Sequence, residues 1–450
     1  MIFQRDIYQK MLEWKRVSKG DTALLIEGAR RVGKSTIVKA FAEKEYESYI
    51  LIDFGDTKAS FTKDIKRVFT DSRDYEEFFT QLQLATGTEL HKRKSVIVFD
   101  EVQKYIQARE MIKYLVQDGR YDYIETGSLI SIKKNSRKIN IPSEEEKIEM
   151  FPMTFPEFLI AAKQYLLLKE ITHSYKAKKA LSDLAHKQAM WWFRTYMAVG
   201  GMPQAVEAYL ETKDFEQVDR KKKAIIDLYR EDLEKISRKS SAVTPLIIYD
   251  NIQSIYSNHS FEIVASSFSN NTRLYTALNN VDELEKSKVV NVAHNIVNID
   301  PSLSLGNDMS GVKVYSGDTG LLVTKMYMHN SFVENKLYKS IILDKLSSNE
   351  GFLYENVVAQ MLRASGHELK YNNFYIDGSN NQYSIDFLIG NGRKISPIEV
   401  KSSHYQKHAS LDEFSKKYHS IIDKQYIVYS KNLKIEKDIV YLPVYMAFLI

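Results

Sequence analysis

Residues 28–36 read Gly28-Ala29-Arg30-Arg31-Val32-Gly33-Lys34-Ser35-Thr36, and they decide what the flanking sequence must build. The first eight follow G-x-x-x-x-G-K-S, the pattern of a phosphate-binding loop. Gly28 and Gly33 let the backbone turn so that its N–H groups point inward at an anion. Lys34 is placed to reach β- and γ-phosphates, and the Ser35 hydroxyl to ligate Mg²⁺. Arg31 and Thr36 complete the set of nucleotide-contact candidates. The helix that follows adds the positive end of its dipole. Ala23-Leu24-Leu25-Ile26-Glu27 is a short apolar run suited to a buried parallel strand, and Thr36–Ala42 continues with helical spacing. Strand, glycine loop and helix come in the order that phosphate binding needs.

Downstream, Ser95-Val96-Ile97-Val98-Phe99-Asp100-Glu101 is a β-branched run that ends in two acids, the Walker B pattern. In that reading Asp100 holds Mg²⁺ together with Ser35, and Glu101 is the general base that polarises an attacking water. The alternative is a pair of acids capping a helix that starts at Val102. A further strand, Tyr121–Glu125, ends in Thr126-Gly127-Ser128. Thr126 or Ser128 at its tip fits a γ-phosphate sensor; the same residues also suit an ordinary turn. Arg137 stands where an arginine finger is expected, in a stretch that reads equally as a solvated basic loop.

A chain of 450 residues is expected to hold two to four domains. With 63 basic and 58 acidic side chains the net charge is +5, which permits a nucleic-acid partner without arguing for one. The absence of cysteine excludes disulfides, thiolate metal sites and cysteine nucleophiles. The N-terminus has no apolar signal core and no run reaches transmembrane length, so no membrane association and a cytoplasmic location are expected.

Residues 1–165 alternate strands and helices, with strands expected at Ala23–Glu27, Ser48–Phe54, Ser95–Asp100, Tyr123–Thr126 and Ile148–Met153. Such alternation builds a parallel sheet with helices on both faces and a ligand at the carboxyl ends of the strands. Residues 166–330 read as helices with a winged-helix-like part. In the latter, helices near Pro245–Ile255 and Asn271–Lys286 precede a strand at Val289–Val292. The candidate recognition helix Thr272–Lys288 carries three acids and three bases, which favours protein docking or a structural role over DNA reading. The run Arg220-Lys221-Lys222-Lys223 reads as a solvated helix face.

Residues 331–450 hold a second constellation. Glu355 lies on an apolar helix, Asp386 in the strand Tyr383–Ile389, and Glu399 and Lys401 on the same side of a later strand. Two acids and a lysine around a divalent ion can activate water against a phosphodiester. This is the PD-(D/E)xK nuclease pattern, lacking its proline before Asp386.

Several stretches together resemble one family: Gly28–Thr36, Val98–Gln103, Thr126–Leu129, Pro152–Leu159, Gly200–Pro203, Lys313–Leu321, and Tyr354–Asn356 with Asp386 and Glu399–Lys401. The set is similar to prokaryotic AAA+-superfamily ATPases that carry a C-terminal domain of unknown function. The resemblance implies an α/β protein with a P-loop AAA+-type core, a helical, winged-helix-like middle and a C-terminal α/β restriction-endonuclease-like domain. It implies that Gly28, Gly33, Lys34, Ser35 and Asp100 serve nucleotide and Mg²⁺, and Glu101 hydrolysis. It also carries Glu355, Asp386, Glu399 and Lys401 to a nuclease-like site. Gly317, before Asp318-Thr319-Gly320, departs from the larger residue usual there. The expected function is an ATP-binding, Mg²⁺-dependent hydrolase acting as a switch or motor. The alternatives are an ATP-gated nuclease and a regulatory ATP-binding protein with slow turnover. DNA or another nucleic acid, a protein docking on the winged-helix region, and self-association are the partners to consider.

Overall fold

The structure, a computed structural model, describes residues 1–56, 60–127, 143–237, 243–257, 261–263, 274–301, 303, 307–327, 335–343, 351–376, 381–403 and 405–450. Ser128, Arg137 and the basic stretch around it lie outside the described residues. The chain divides into two compact units, Met1–Phe151 and Pro152–Ile450. No helix among the described residues is long and apolar enough to cross a membrane.

In the first unit, strands β1 (Ala23–Glu27), β2 (Ser48–Asp53), β3 (Ser95–Asp100), β4 (Asp122–Gly127) and β5 (Glu145–Glu149) form one parallel sheet in the order β2-β3-β4-β1-β5. Helices α1 (Ile7–Ser18), α2 (Lys34–Glu45), α3 (Ser60–Asp71), α4 (Tyr75–Thr86) and α5 (Ile106–Asp118) connect and cover it. In α1, Ile7, Met11, Trp14 and Ser18 are buried, the one-face spacing of an amphipathic helix. Every residue of β3 is buried, which explains its unbroken apolar run. Burying Val96, Ile97, Val98 and Phe99 contributes about 1.5–3 kcal/mol each. Phe54, Phe69, Phe99 and Tyr105 pack edge-to-face, tilted or stacked between the sheet and its helices, with ring centroids 5.1–6.0 Å apart.

The fifth strand departs from expectation. It was placed at Ile148–Met153 and lies at Glu145–Glu149 instead. Glu145, Glu146 and Glu149 disguise it: the strand lies at the edge of the sheet and is only partly buried, and the buried Glu145 side chain is paired with Arg109. The Met150 N–H donates to the Glu27 carbonyl at 2.7 Å, and Pro152 has no N–H to carry the ladder further.

The second unit begins with helices Phe155–Ala161, Tyr165–Ala177, Asp183–Val199, Pro203–Thr212, Phe215–Ile236 and Pro245–Ser257. Helix Leu274–Lys286 follows, then β7 (Val290–Ile296) and β8 (Asn307–Ser316), an antiparallel pair extended by β6 (Glu262–Ile263). After helices Thr319–Tyr327, Asn335–Ile342 and Gly351–Ala364 come β9 (Lys370–Tyr375), β10 (Gln382–Asn391) and β11 (Lys394–Lys401), then helix Ala409–Tyr418, β12 (Gln425–Tyr429), β13 (Lys434–Glu436) and β14 (Ile439–Pro443). All nine strands share one sheet, ordered β13-β14-β12-β11-β10-β9-β7-β8-β6. That sheet runs unbroken across the division expected at residue 330.

Four of the stretches behind the resemblance interlock in this unit. Asp318 accepts from the Gly201 N–H at 2.6 Å and the Leu321 N–H at 2.9 Å. Gln360 accepts from both the N–H and the hydroxyl of Thr319 at 2.9 Å and donates to Tyr196, whose hydroxyl donates to the Met153 carbonyl. Asn356 accepts from the Ser316 N–H at 2.8 Å. Thr154 and Glu157 form a capping box on the first helix of the unit. The residues named in this seam are buried or nearly so, and each hydrogen bond removes a desolvation penalty of about 1–3 kcal/mol that an unpaired group would carry. Lys222 also differs from expectation. It is fully buried rather than solvated, and its ammonium donates to the carbonyls of Ala198 and Gly320 and to the Tyr338 hydroxyl at 2.8–3.2 Å. Burial pushes its pKa down to about 8.

Gly317 and Gly320 have steric reasons. A Cβ on Gly317 would lie 2.9 Å from the Val289 carbonyl oxygen, and one on Gly320 would lie 2.5 Å from both the Cα and the N of Gly200. Gly320→Ala is therefore expected to destabilise the second unit by about 1–3 kcal/mol, the range for overpacking. Urea titration followed by circular dichroism should show a lower midpoint. An unchanged midpoint would mean that the backbone contact is not tight.

Candidate functional site

The sheet order sets the geometry of the first site. β4 lies between β1, which feeds the glycine loop, and β3, which ends in the acids. The register pairs Ile26 with Thr126 on one side and Phe99 with Glu125 on the other. The tip of β4 thus stands between the start of the loop and the acids. Loop and α2 meet at Gly33, whose φ of +102° is the left-handed region that glycine enters without strain. Gly28 abuts the Met150 carbonyl, leaving no room for a Cβ. Arg31 also has positive φ, +68°. Thr36 lies one residue beyond Ser35 in the first turn of α2.

Lys34 is buried, and its ammonium donates to the carbonyls of Gly28 and Ala29, both at 3.0 Å. Burial lowers its pKa, with Glu101 and Asp100 opposing the shift. It makes no ion pair among the described residues, and its hydrogen bonds go to the loop's own carbonyls. Ser35 donates to Asp100 Oδ1 at 2.9 Å. The Thr126 hydroxyl donates to the same oxygen and accepts from the Glu101 N–H at 3.2 Å. The expected residues Lys34, Ser35, Asp100, Glu101 and Thr126 are thus brought together. Thr126 acts here as a clamp between the two acids.

Two contributors were not singled out from the sequence. Gln103 is buried and donates to Glu101 Oε2 at 2.6 Å, while Glu101 itself takes a left-handed φ of +53°. The pair aims the carboxylate. Arg5 donates to the carbonyls of Val32 at 2.9 Å and Phe151 at 2.7 Å, so the loop is braced from outside by a residue two positions before α1. Gln103 is contained in the quoted stretch Val98–Gln103. Arg5 lies in a segment without a motif and carries no signal of this role.

In the second unit Glu355, Asp386, Glu399 and Lys401 also gather. Asp386 Oδ2 accepts from the Val400 N–H at 2.9 Å, between the two β11 residues. Lys401 pairs with Glu399 at 2.8 Å. A further residue, Lys313 of β8, lies 3.2 Å from Glu355 and 3.5 Å from Asp386. Tyr315, two positions on and on the same strand face, donates to Glu355 at 2.7 Å. Burial raises the Glu355 pKa to about 7 against the opposing pull of Lys313, and it also raises that of Glu399. For Lys313, burial acts downward but Glu355 and Asp386 outweigh it and hold the ammonium above the ordinary lysine value. Among the described residues no group of three or more His, Asp or Glu is arranged to hold a metal ion. Lys313 lay inside the quoted stretch Lys313–Leu321, but nothing in that stretch ties it to acids 42 and 73 positions away.

Comparison with known proteins bears on these sites. Residues 20–159 match the family described as AAA domain. Residues 190–331 and 350–446 match families described as Domain of unknown function (DUF8612) and Domain of unknown function (DUF4143). No curated protein matches the chain. Among solved structures, a Walker-type ATPase of Pyrococcus abyssi is similar over 72% of this chain and 96% of its own, at 16% identity and a TM-score of 0.43. Cdc6p from Pyrobaculum aerophilum is similar over 76% and 94%, at 11% identity and a TM-score of 0.26. The Orc1 protein of Aeropyrum pernix, solved in complex with DNA, is similar over 74% and 94%, at 10% identity and a TM-score of 0.27. By the family match, residues 20–159 carry an AAA-type P-loop ATPase fold. The AAA part of the resemblance read from sequence holds, whereas the family at residues 350–446 names no chemistry.

Beneath the first site lies a buried charge cluster. Arg109 bonds Glu145 at 3.0 Å and stands 3.9 Å from Glu125, the residue before Thr126. Burial holds the Glu125 pKa well above the ordinary glutamate value; Arg109 opposes this and Glu145 adds to it. The folded unit therefore keeps a proton that the unfolded chain releases above about pH 4.3. Because the folded state binds more protons, this group's contribution to stability is full below that pH and is lost as pH rises through the raised pKa. Glu125→Gln removes the slope. As pH rises from about 5, the stability difference should move in the variant's favour by up to about 1.4 kcal/mol per pH unit until Glu125 ionises in the folded unit. Parallel curves in urea titrations would mean that Glu125 titrates as an ordinary acid.

Proposed function

We propose that the first unit binds ATP with Mg²⁺ and hydrolyses it. The observation that carries this is the convergence of Ser35 and Thr126 on one oxygen of Asp100, beside a buried lysine whose ammonium donates to loop carbonyls. A buried ammonium that lies near Asp100 and Glu101 but makes no direct ion pair among the described residues suits an incoming polyphosphate. Gly28–Thr36 would cradle the phosphates with backbone N–H groups, and Lys34 would exchange its carbonyl partners for phosphate oxygens. Ser35 and Asp100 are the residues to hold Mg²⁺, a hard ion suited to oxygen donors, which would neutralise charge on the phosphates. Glu101, aimed by Gln103, would orient and deprotonate water. Thr126 keeps the two acids in register.

A second reading applies to residues 331–450, as a restriction-endonuclease-like domain. Its support is the element order. Helix Gly351–Ala364 precedes the antiparallel β9-β10-β11, and helix Ala409–Tyr418 leads to β12, parallel to β11. Asp386 and Glu399 then stand on adjacent strands, with Glu355 on the preceding helix. The β7-β8 hairpin with β6, behind helix Leu274–Lys286, is compatible with a winged-helix-like element for docking protein or nucleic acid. ATP turnover in the first unit as a switch for such a region is the combined reading.

Lys34→Ala removes the side-chain cation from the phosphate site. ATP affinity by calorimetry should fall at least about tenfold, roughly 1.4 kcal/mol. Unchanged affinity would refute the nucleotide site. Glu101→Gln keeps the Gln103 contact but not the base, so ATP should bind normally while turnover drops on the order of 10²-fold or more. Turnover at the parental rate would assign the water to another residue.

A further inference from the structure

We infer that Arg5 is a positioning residue for phosphate binding: by holding the Val32 carbonyl it keeps the Val32–Gly33 peptide turned so that the Gly33 N–H faces the anion. The inference rests on the reading of Gly28–Thr36 as a nucleotide site. Arg5 lies outside every motif, two positions before α1, and is only 6% exposed. One arm of its guanidinium, Nη1, donates to the Val32 carbonyl at 2.9 Å, and the other, Nη2, to the Phe151 carbonyl at 2.7 Å. The brace has firm footing at both ends. Burial of Ile7, Met11 and Trp14 seats α1 directly behind Arg5. The Met150 N–H, one residue before Phe151, is tied to the Glu27 carbonyl of β1 at 2.7 Å.

The peptide that Arg5 holds is one that could otherwise turn over. A peptide flip changes ψ of Val32 and φ of Gly33 together, and glycine accepts either sign of φ with little penalty. Gly33 stands at φ +102°, and Arg31, on the other side of Val32, at +68°. In a planar trans peptide the carbonyl and the following N–H point in opposite directions. Pinning the Val32 oxygen to Arg5 therefore turns the Gly33 N–H away from Arg5. That N–H makes no hydrogen bond to another described residue, which leaves it available to an anion at the head of α2. A flipped peptide would set a carbonyl oxygen in its place, and that oxygen would repel a phosphate. The planar guanidinium fork holds two acceptors at a fixed angle, which the single point of a lysine ammonium does not.

The test uses the full chain and measures ATP binding with Mg²⁺ by calorimetry, on variants shown to be folded by circular dichroism. Arg5→Ala should bind ATP at least about tenfold more weakly than the parent. Millimolar guanidinium chloride, far below denaturing concentrations, should recover most of that loss, and sodium chloride at the same concentration should not. A residue that only packs would show neither the loss in a folded variant nor the recovery. Parental ATP affinity in folded Arg5→Ala, or a loss that guanidinium does not recover, would overturn the role of Arg5 while leaving the nucleotide site standing. A parent chain that binds no ATP would overturn both. Should Arg5→Ala fail to fold, Arg5→Lys keeps the charge and loses the fork. It should bind ATP at least about threefold more weakly than the parent, and parental affinity there would overturn the inference.

Discussion

One oxygen of Asp100 organises the first unit. Two hydroxyls, Ser35 from the head of α2 and Thr126 from the tip of β4, converge on it. Thr126 in turn takes the Glu101 N–H, so the second acid is tied to the first. None of these contacts survives a change in strand order. β4 must lie between β1 and β3 for its tip to stand between the start of the loop and the end of β3. The parallel sheet and the anion site are therefore one constraint: the fold places a carboxylate, a hydroxyl and a lysine at the same edge because that edge is where parallel strands end and helices begin.

The second unit repeats the logic with a buried carboxylate that serves structure. Asp318 satisfies backbone N–H groups of Gly201 and Leu321, and glycines at 200 and 320 let the two segments approach to backbone contact. An orphaned N–H in this seam would cost as much as a substantial part of a domain's net stability. The stretches Gly200–Pro203 and Lys313–Leu321, quoted for the family resemblance, are here fastened to each other. Lys222, buried under carbonyls from both segments, belongs to the same seam and has no solvent-facing task.

The acid cluster around Asp386 shows how such economy shapes a site. Buried carboxylates in mutual reach need a cation, and the chain supplies one from β8. Because β7, β8 and β9 belong to a single sheet, the strand that carries Lys313 is physically continuous with the strands that carry the acids. The division expected between residues 330 and 331 falls within that single sheet.

Local order was open to reading from the sequence. The glycine loop, the apolar β3 ending in acids, and the helix after Lys34 depend on residue spacing and burial along a few turns of chain, and four of the five expected core strands lie within a residue of their observed bounds. β5 differs from expectation because its charged residues suit a strand only at the sheet edge and, for Glu145, beside Arg109, and both conditions are set by tertiary structure. Convergence was anticipated for Glu355, Asp386, Glu399 and Lys401, since alternation within strands and a recognised pattern suffice for it. Lys313, Arg5 and the buried Lys222 were not legible. Each is a cation whose partners are carbonyls or carboxylates distant in sequence, and the physics of desolvation that puts it there acts only once tertiary structure has excluded water.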